Sequence, residues 1–486
     1  MKLIEILKDI DIVSSKGNFQ IEIGSICTDS RKCCAGSLFI AVKGAENDGH
    51  KYIGSAIQNG ATAVLCAAMP EDADNFNIPI VVVKDDRKAA AFAARNFYNN
   101  PSESIKLVGV TGTNGKTSIA TLLYNLFTKL GYCCGLLSTI ANYVGEKRYD
   151  TDNTTPGPVE LNELLHRMTE AGCEYCFMEV SSHAVDQQRI EGITYTGGIF
   201  TNLTHDHLDY HKTFANYLNC KKSFFDALPK TAFALVNSDD KNGMVMVQNT
   251  KAKVYRYACR SNGDFKVKII EKSIEGMLLK INGQDVWCRF IGEYNAANLT
   301  AVYAAAILLG ANQDEAIRIL SELTSVAGRL EYFKGINNVI AAVDYAHTPD
   351  ALENVLKTLV DLKPEGGVTC VFGCGGNRDK TKRPEMGAIA GKYADRVIVT
   401  SDNPRNEDPL EIIKEIKAGM DIPMRAKSLF IAEREEAIRT AILTANAGSI
   451  ILVAGKGHEN YQIINGVKHH FDDKEIILET FGMQRS

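Results

Sequence analysis

The sequence predicts an α/β protein in three parts: a small N-terminal α/β unit over residues 1–99, a central P-loop-type parallel-sheet unit over 100–328, and a C-terminal Rossmann-like unit over 329–486. Three observations carry that prediction. Apolar runs of strand length recur along the chain and alternate with helix-length amphipathic stretches, as parallel βα repeats require. A Gly-rich turn near residue 112 joins one such run to a helix. The 486 residues suffice for three domains at roughly 150 residues each.

In the first part, 37–42, 63–66 and 80–83 read as strands, with a helical pattern at about 51–59. Residues 1–9 alternate charged with apolar side chains and read as an amphipathic first helix. Asn99-Asn100-Pro101 is the expected linker, because proline pushes the preceding residue out of helix. The second part opens with the buried-strand run 105–110, continues with runs at 175–180 and 197–201, and turns more strand-rich over 230–292. Helices near 295–310 and 314–324 close it. In the third part 339–343, 368–372, 396–400 and 450–454 read as buried parallel strands.

Composition narrows the function. A hydrophobic fraction of 45% and a charged fraction of 23% are globular values and exclude disorder and coiled coil. A formal net charge of −5 argues against nucleic-acid binding, which needs a basic face, but leaves room for a small anion in one local pocket. No apolar run reaches membrane-span length, and the N-terminal segment lacks the apolar core of a signal peptide. The 13 scattered cysteines point to reduced thiols in a cytoplasmic protein. Cys173-x-x-Cys176 has no second pair at zinc-finger spacing.

The chemistry begins at Gly109-Val110-Thr111-Gly112-Thr113-Asn114-Gly115-Lys116-Thr117-Ser118, between the strand run 105–110 and a helix at about 116–130. Glycines let backbone amides turn toward a phosphate, and the helix N-terminus adds the positive end of its dipole. Lys116 suits β- and γ-phosphates, and Thr117 suits Mg²⁺. The strict G-x-x-x-x-G-K-T pattern fails at one position, where Val110 replaces the first glycine. An ordinary Gly-rich turn is the alternative; strand, glycines, Lys-Thr and helix together favour phosphate.

Two polar clusters follow at strand ends, where α/β sheets bind ligands. They are Glu179-Val180-Ser181-Ser182-His183 and Thr201-Asn202-Leu203-Thr204-His205-Asp206-His207-Leu208-Asp209-Tyr210-His211. By spacing alone the second is either a metal site, with zinc the first candidate from its histidines, or a hydrogen-bonded loop.

The Gly-Thr-Asn-Gly-Lys-Thr loop resembles the ATP loop of the Mur ligase family, and folylpolyglutamate synthetase shares a similar loop. The stretches 178–183 and 206–211 also look like Mur ligase signatures, and the resemblance spans nearly the whole chain. It implies an ATP-driven amide ligase of peptidoglycan precursor synthesis that uses ATP and Mg²⁺. It implies an ATP site of Gly112, Thr113, Asn114, Gly115, Lys116, Thr117, Ser118, Asn295, Arg329 and Asp344. Glu179 and His207 would join Thr117 at metal, and Lys221, next to Lys222, would be carbamylated and help hold it. Lys116, Glu179, His207 and Lys221 form the implied catalytic set. Read without the family, Lys221 is a solvated helix lysine.

The first part resembles the family's UDP-binding domain, with Thr28, Ser30, Ala45, Glu46 and Asn47 at the nucleotide. Asn153, Thr154, Thr155, Ser181, Gln187 and Arg189 match segments that hold the muramoyl dipeptide, although Asp152-Asn153-Thr154-Thr155-Pro156 is also simply a good turn. Asp402-Asn403-Pro404-Arg405 resembles the signature of relatives that accept meso-diaminopimelate, with Arg378, Gly455 and Glu459 as further contacts. The physics agrees. Diaminopimelate carries a second carboxylate that Arg405 can grip with two parallel hydrogen bonds, whereas L-lysine would leave that arginine unpaired. A type I turn after a strand is the local alternative. A lysine-adding sister enzyme, a folylpolyglutamate-type ligase and a non-catalytic ATP-binding module remain open. A monomer acting on small molecules, with no membrane or nucleic-acid partner, is expected.

Overall fold

The structure is a computed structural model that describes residues 1–44 and 47–483. Three main sheets take their strands from successive stretches of chain. The first has the order β1-β5-β4-β3-β2, with β1 (Ile12–Lys16), β2 (Ser25–Cys27), β3 (Ser37–Ile40), β4 (Ala61–Cys66) and β5 (Ile80–Val83). It is parallel except for β1, which runs antiparallel to β5. Helix Asp86–Phe97 packs Ala89, Ala90, Ala93 and Ala94 into this core. It ends before Asn99 and Asn100, both left-handed, and Pro101 then opens a 3-10 turn. The expected amphipathic first helix is a single turn, Leu3–Ile6, with Leu3 and Ile6 buried.

The central sheet has eleven strands. Its middle is parallel: β6 (Lys106–Thr111), β7 (Cys134–Leu137), β10 (Tyr175–Glu179), β11 (Gly197–Phe200), β12 (Phe233–Asn237) and β13 (Lys253–Ala258). Here β6 lies between β10 and β11, so the loops after these three strands share one edge. These strands are apolar and buried because helices cover both faces. Helices Lys116–Lys129, Glu293–Leu308 and Gln313–Glu322 cover one face. Helices Pro158–Glu170 and Phe214–Asp226 cover the other. Fully buried Phe127 and Phe177 belong to the first core, and each such side chain contributes about 1.5–3 kcal/mol on burial.

The sheet is mixed rather than purely parallel. β8 (Asn142–Val144) and β9 (Lys147–Tyr149) extend β7 as antiparallel strands. β14 (Phe265–Ser273), β15 (Gly276–Ile281) and β16 (Gln284–Cys288) form an antiparallel meander at the far end. The physical reason is local: Asn282 and Gly283, both at positive φ, close β15 onto β16 as a two-residue hairpin turn.

The third sheet has the order β17-β18-β22-β19-β20-β21. β18 (Ile340–Asp344), β19 (Val368–Phe372), β20 (Arg396–Val399), β21 (Ser428–Phe430) and β22 (Ile450–Ala454) are parallel, and β17 (Glu331–Lys334) is an antiparallel edge. The carboxyl end of β18 faces the loops after β6, β10 and β11 of the central sheet across a cleft. Among the described residues no helix is long and apolar enough to cross a membrane.

Candidate active site

The cleft is a cavity of about 440 Å³ lined by both sheets. Thr113, Asn114, Gly115, Lys116, Thr117 and Ser118 line it from the central side, and Arg329, Asp344 and Asn295 close it. Gly112 lies just behind, at φ +147°, where any Cβ would collide with the Thr201 hydroxyl. The loop is therefore held close against its neighbour strand, an approach that only glycine allows. Asn114 N donates to Asn202 Oδ1 at 2.9 Å, fixing the turn from the side. Lys116 Nζ folds back onto the carbonyls of Gly112 (3.0 Å) and Thr113 (2.8 Å). Burial lowers the Lys116 pKa, and an anion bound here would restore the charged ammonium.

Glu179 ends β10 directly beside this loop and is fully buried. Its carboxylate accepts from Thr117 Oγ1 at 3.0 Å and from the backbone of Thr139 at 2.7 Å. A hydroxyl and a carboxylate side by side, next to a phosphate-shaped loop, form an oxygen donor pair that suits a hard divalent cation. His207, at φ +54°, lines the same cavity and approaches Asp206 at 3.2 Å. Burial holds His207 down at about 3, so its ring is neutral. Burial pushes Asp206 up, but the positive charges beside it, Lys382 and Lys116 among them, outweigh it and hold its carboxyl below the usual range. The histidine-rich segment does not converge as its spacing allowed. His205 is exposed and reaches toward Asp379, and among the described residues no three His, Cys, Asp or Glu side chains gather into a metal cluster.

Lys221 and Lys222 separate cleanly. Lys221 is 1% exposed, and its Nζ donates to Gly112 O at 2.9 Å behind the phosphate loop. Burial, reinforced by the charge of Lys116, holds its amine well below the usual lysine range. Lys222 points the other way and pairs with Asp226 at 2.7 Å. The solvated-helix reading of Lys221 is thereby overturned: helix Phe214–Asp226 turns that face inward.

Arg329 spans the cleft. Its Nη2 donates to Thr117 Oγ1 at 3.1 Å, its guanidinium lies 4.5 Å from the Tyr345 ring centroid, and its buried Nε has no hydrogen-bond partner. Asn114 Nδ2 donates to Asp350 Oδ2 at 3.0 Å, a second link between the units. Asp344 accepts from Leu330 N at 2.7 Å, and burial pushes its carboxyl up to about 6.

The residues expected at a dipeptide form a chain beside Glu179. Thr155 Oγ1 donates to Glu179 O (2.8 Å), Ser181 N donates to Thr155 Oγ1 (3.0 Å), and Arg189 bonds Thr155 O (3.0 Å) and Gln187 Oε1 (2.6 Å). Thr154 lines the cavity, and Asn153 is exposed on the adjoining turn. Thr28 and Asn47 are exposed on the N-terminal unit, and Ser30 is buried, its carbonyl accepting from Asn59. Ala45 and Glu46 lie outside the described residues. Gln188 Nε2 joins Asp85 Oδ2 at 3.0 Å, tying the N-terminal unit to the dipeptide segment.

On the third sheet, Asp402-Asn403-Pro404-Arg405 follows β20 and Gly455 to Glu459 follow β22. Asn403 Nδ2 donates to Glu459 Oε2 at 2.8 Å. Gly455, at φ +114°, sits where a Cβ would lie 2.6 Å from Asp402 Oδ2, so only glycine lets the two loops close up. Arg405 is half-buried and bonds only a carbonyl, Gly376 O at 2.9 Å, while Arg378 is exposed and bonds Asn377 O. Burial first, and the charge of Arg378 second, lower the Arg405 pKa. Among the described residues neither arginine has a carboxylate within ion-pair distance. Burial pushes Glu459 up, with Asp402 adding to it. Two residues absent from the sequence-based site complete it. Tyr345 bridges Arg329 and Glu459 (3.3 Å), and buried Lys456 lies 3.3 Å from Glu459. Both stand inside motifs already singled out, but their reach across the cleft has no local signal.

A phosphate-cradling loop set opposite a polar amino-acid pocket defines a nucleotide-dependent ligase. The chain belongs to the Mur ligase family: residues 22–98 match the Mur ligase family catalytic domain, 110–306 the Mur ligase middle domain and 328–457 the Mur ligase glutamate ligase domain. It is 55% identical over 482 residues to the UDP-N-acetylmuramoyl-L-alanyl-D-glutamate--2,6-diaminopimelate ligase of Bacteroides thetaiotaomicron, covering 99% of this chain and 100% of that one. The enzyme of the same name from Bacteroides fragilis is 53% identical, with 99% and 100% covered. A solved structure of a ligase of that name superposes with a TM-score of 0.70 at 32% identity, over 99% of both chains. The chain is accordingly an ATP-dependent ligase of the three-domain Mur type.

Proposed function

We propose that this chain joins meso-2,6-diaminopimelate to the D-glutamate γ-carboxylate of UDP-N-acetylmuramoyl-L-Ala-D-Glu at the expense of ATP, in cytoplasmic peptidoglycan precursor synthesis. The observation that carries the acceptor is the pair Arg405 and Arg378, two guanidinium groups that among the described residues have no carboxylate within ion-pair distance, set near Glu459. A zwitterionic amino-acid head supplies the missing charges: its carboxylate to the arginines, its ammonium to Glu459. L-Lysine lacks that second head and leaves Arg405 unpaired, which disfavours a lysine-adding activity. A folylpolyglutamate-type ligase leaves the N-terminal unit and this pocket without a role.

The loop amides and Lys116 hold the β- and γ-phosphates, and Arg329, whose Nε has no protein partner, adds charge from the third sheet. Thr117 and Glu179, with His207 and a carbamate on Lys221 as the family resemblance assigns, would hold Mg²⁺, which would supply charge neutralisation during phosphoryl transfer. The buried, neutral Lys221 amine is the form that reacts with CO₂, which supports that assignment. Thr155, Ser181, Gln187 and Arg189 orient the dipeptide so that its γ-carboxylate takes the phosphoryl group. The acyl phosphate then meets the neutral amine of diaminopimelate, and phosphate leaves. Asn295 and Asp344 face the nucleoside. A monomer suffices, since every group named comes from one chain.

Phosphate release by the purified protein with ATP, Mg²⁺ and the UDP-dipeptide tests this reading. Release that requires diaminopimelate is the expected result. Release independent of any amine contradicts it.

A further inference from the structure

Arg434 and Asp473 are both fully buried and lie outside the site described so far. Arg434 opens helix Arg434–Leu443, and Asp473 opens helix Asp473–Thr480. Arg434 Nε and Nη2 grip the Asp473 carboxylate in a fork, at 2.8 and 2.7 Å. The rest of the guanidinium turns to backbone: Nη2 donates to Ala454 O at 3.0 Å, and Nη1 to Ser401 O at 3.2 Å.

Those two carbonyls sit at the roots of the two acceptor loops. Ser401 immediately precedes Asp402-Asn403-Pro404-Arg405, and Ala454 immediately precedes Gly455-Lys456-Gly457-His458-Glu459. β20 and β22 are not neighbours, because β19 lies between them, so no ladder hydrogen bond joins these loops at their base. The guanidinium makes that join. Above it the loops meet closely, at Gly455 against Asp402 and at Asn403 on Glu459. The Arg434 charge also attracts Asp402 and Glu459.

Only arginine offers donors in a fixed planar fork that serve a carboxylate and two separated carbonyls together. A lysine ammonium is a point charge and cannot reach all three. A buried ion pair is weak evidence for stability, since packed apolar residues do as well. Removing this one would take the guanidinium's donors from two carbonyls at the roots of the site, so geometry accounts for the pair better than stability does.

We propose that Arg434, locked by Asp473, is a positioning residue for the amino-acid acceptor. It sets the separation between the loop carrying Arg405 and the loop carrying Glu459, and hence the span within which one amino-acid head fits. The proposal rests on the acceptor reading given above.

The test measures Michaelis constants for diaminopimelate, ATP and the UDP-dipeptide in wild type, Arg434→Lys and Asp473→Asn, with thermal melting alongside. Arg434→Lys should raise KM for diaminopimelate about tenfold or more, with the other two KM values within about twofold and kcat within about threefold. Asp473→Asn keeps an acceptor for the fork and should move the same constant in the same direction by less. If Arg434→Lys fails to fold, Asp473→Asn decides by the same split. Three KM values rising together, a fall in kcat alone, or an unchanged KM for diaminopimelate overturns the positioning role. Wild-type protein without diaminopimelate-dependent turnover instead defeats the acceptor reading, and the proposal with it.

Discussion

Single residues in this protein owe their chemistry to which way a helix or strand turns them. Lys221 and Lys222 are adjacent, yet one sits dry behind the phosphate loop and the other, also largely buried, turns to Asp226 in an i,i+4 pair. Lys221→Ala should lower kcat by about 100-fold or more, and Lys222→Ala by no more than about twofold. Steady-state rates at saturating substrates check both. Asp344 illustrates stability given up for a site. Its folded pKa, about 6, lies above its usual value of 3.8 because burial disfavours the charge. Stability from this group is therefore full below pH 3.8 and is lost as pH rises through 6. Asp344→Asn keeps an acceptor for Leu330 N and should stabilise the protein by up to about 2–3 kcal/mol at pH 8, with no gain near pH 4. Denaturant titrations at the two pH values read this, and ATP binding should weaken in the same variant. The phosphate loop, Glu179 and the Asp-Asn-Pro-Arg turn were legible in the sequence because each is confined to a few residues after one strand. Arg434 was not. Its partners lie 33, 20 and 39 residues away in sequence and meet only after the sheet forms.

At the scale of elements, the parallel strands were legible as unbroken apolar runs, and helix Lys116–Lys129 as a stripe following a glycine turn. The antiparallel additions were not foreseen, although Asn282-Gly283 and Asn465-Gly466 are strong hairpin signals and both close two-residue turns. Another element-scale feature lay beyond reach. Helix Lys382–Tyr393 anchors the third sheet's loops through fully buried Arg383, which bonds Glu407, Glu415 and Gly375 O. Glu407 also accepts from Asn377 N, so it braces the loop that carries Arg378. The Arg383 hydrogen bond holds the Glu407 carboxyl down at about 2 against a usual 4.5. Its contribution is therefore full above pH 4.5 and disappears as pH falls toward 2. Glu407→Gln should cost about 2–3 kcal/mol at pH 7 and progressively less below pH 4, read by denaturation across that range. The carboxylates on Arg383 come from helix Pro409–Ala418 and the segment before it, and no periodicity in the helices marks such a pairing.

The whole molecule works as two halves of one cleft, with the N-terminal unit docked beside them through Gln188 and Asp85. Arg329 and Asn114 already cross between the central and third sheets, so the nucleotide cavity belongs to neither alone. Tyr345 connects the two chemistries, with Arg329 on its ring and Glu459 on its hydroxyl. The central claim concerns the acceptor end of that line. The direct measurement is a competition in which the protein is offered equimolar meso-diaminopimelate and L-lysine with ATP, Mg²⁺ and the UDP-dipeptide, and the two amide products are quantified by mass. The account predicts that wild type makes the diaminopimelate product in excess of about 100-fold, and that Arg405→Lys cuts that ratio about tenfold or more. Comparable amounts of the two products from wild type, or a ratio indifferent to Arg405, would contradict it.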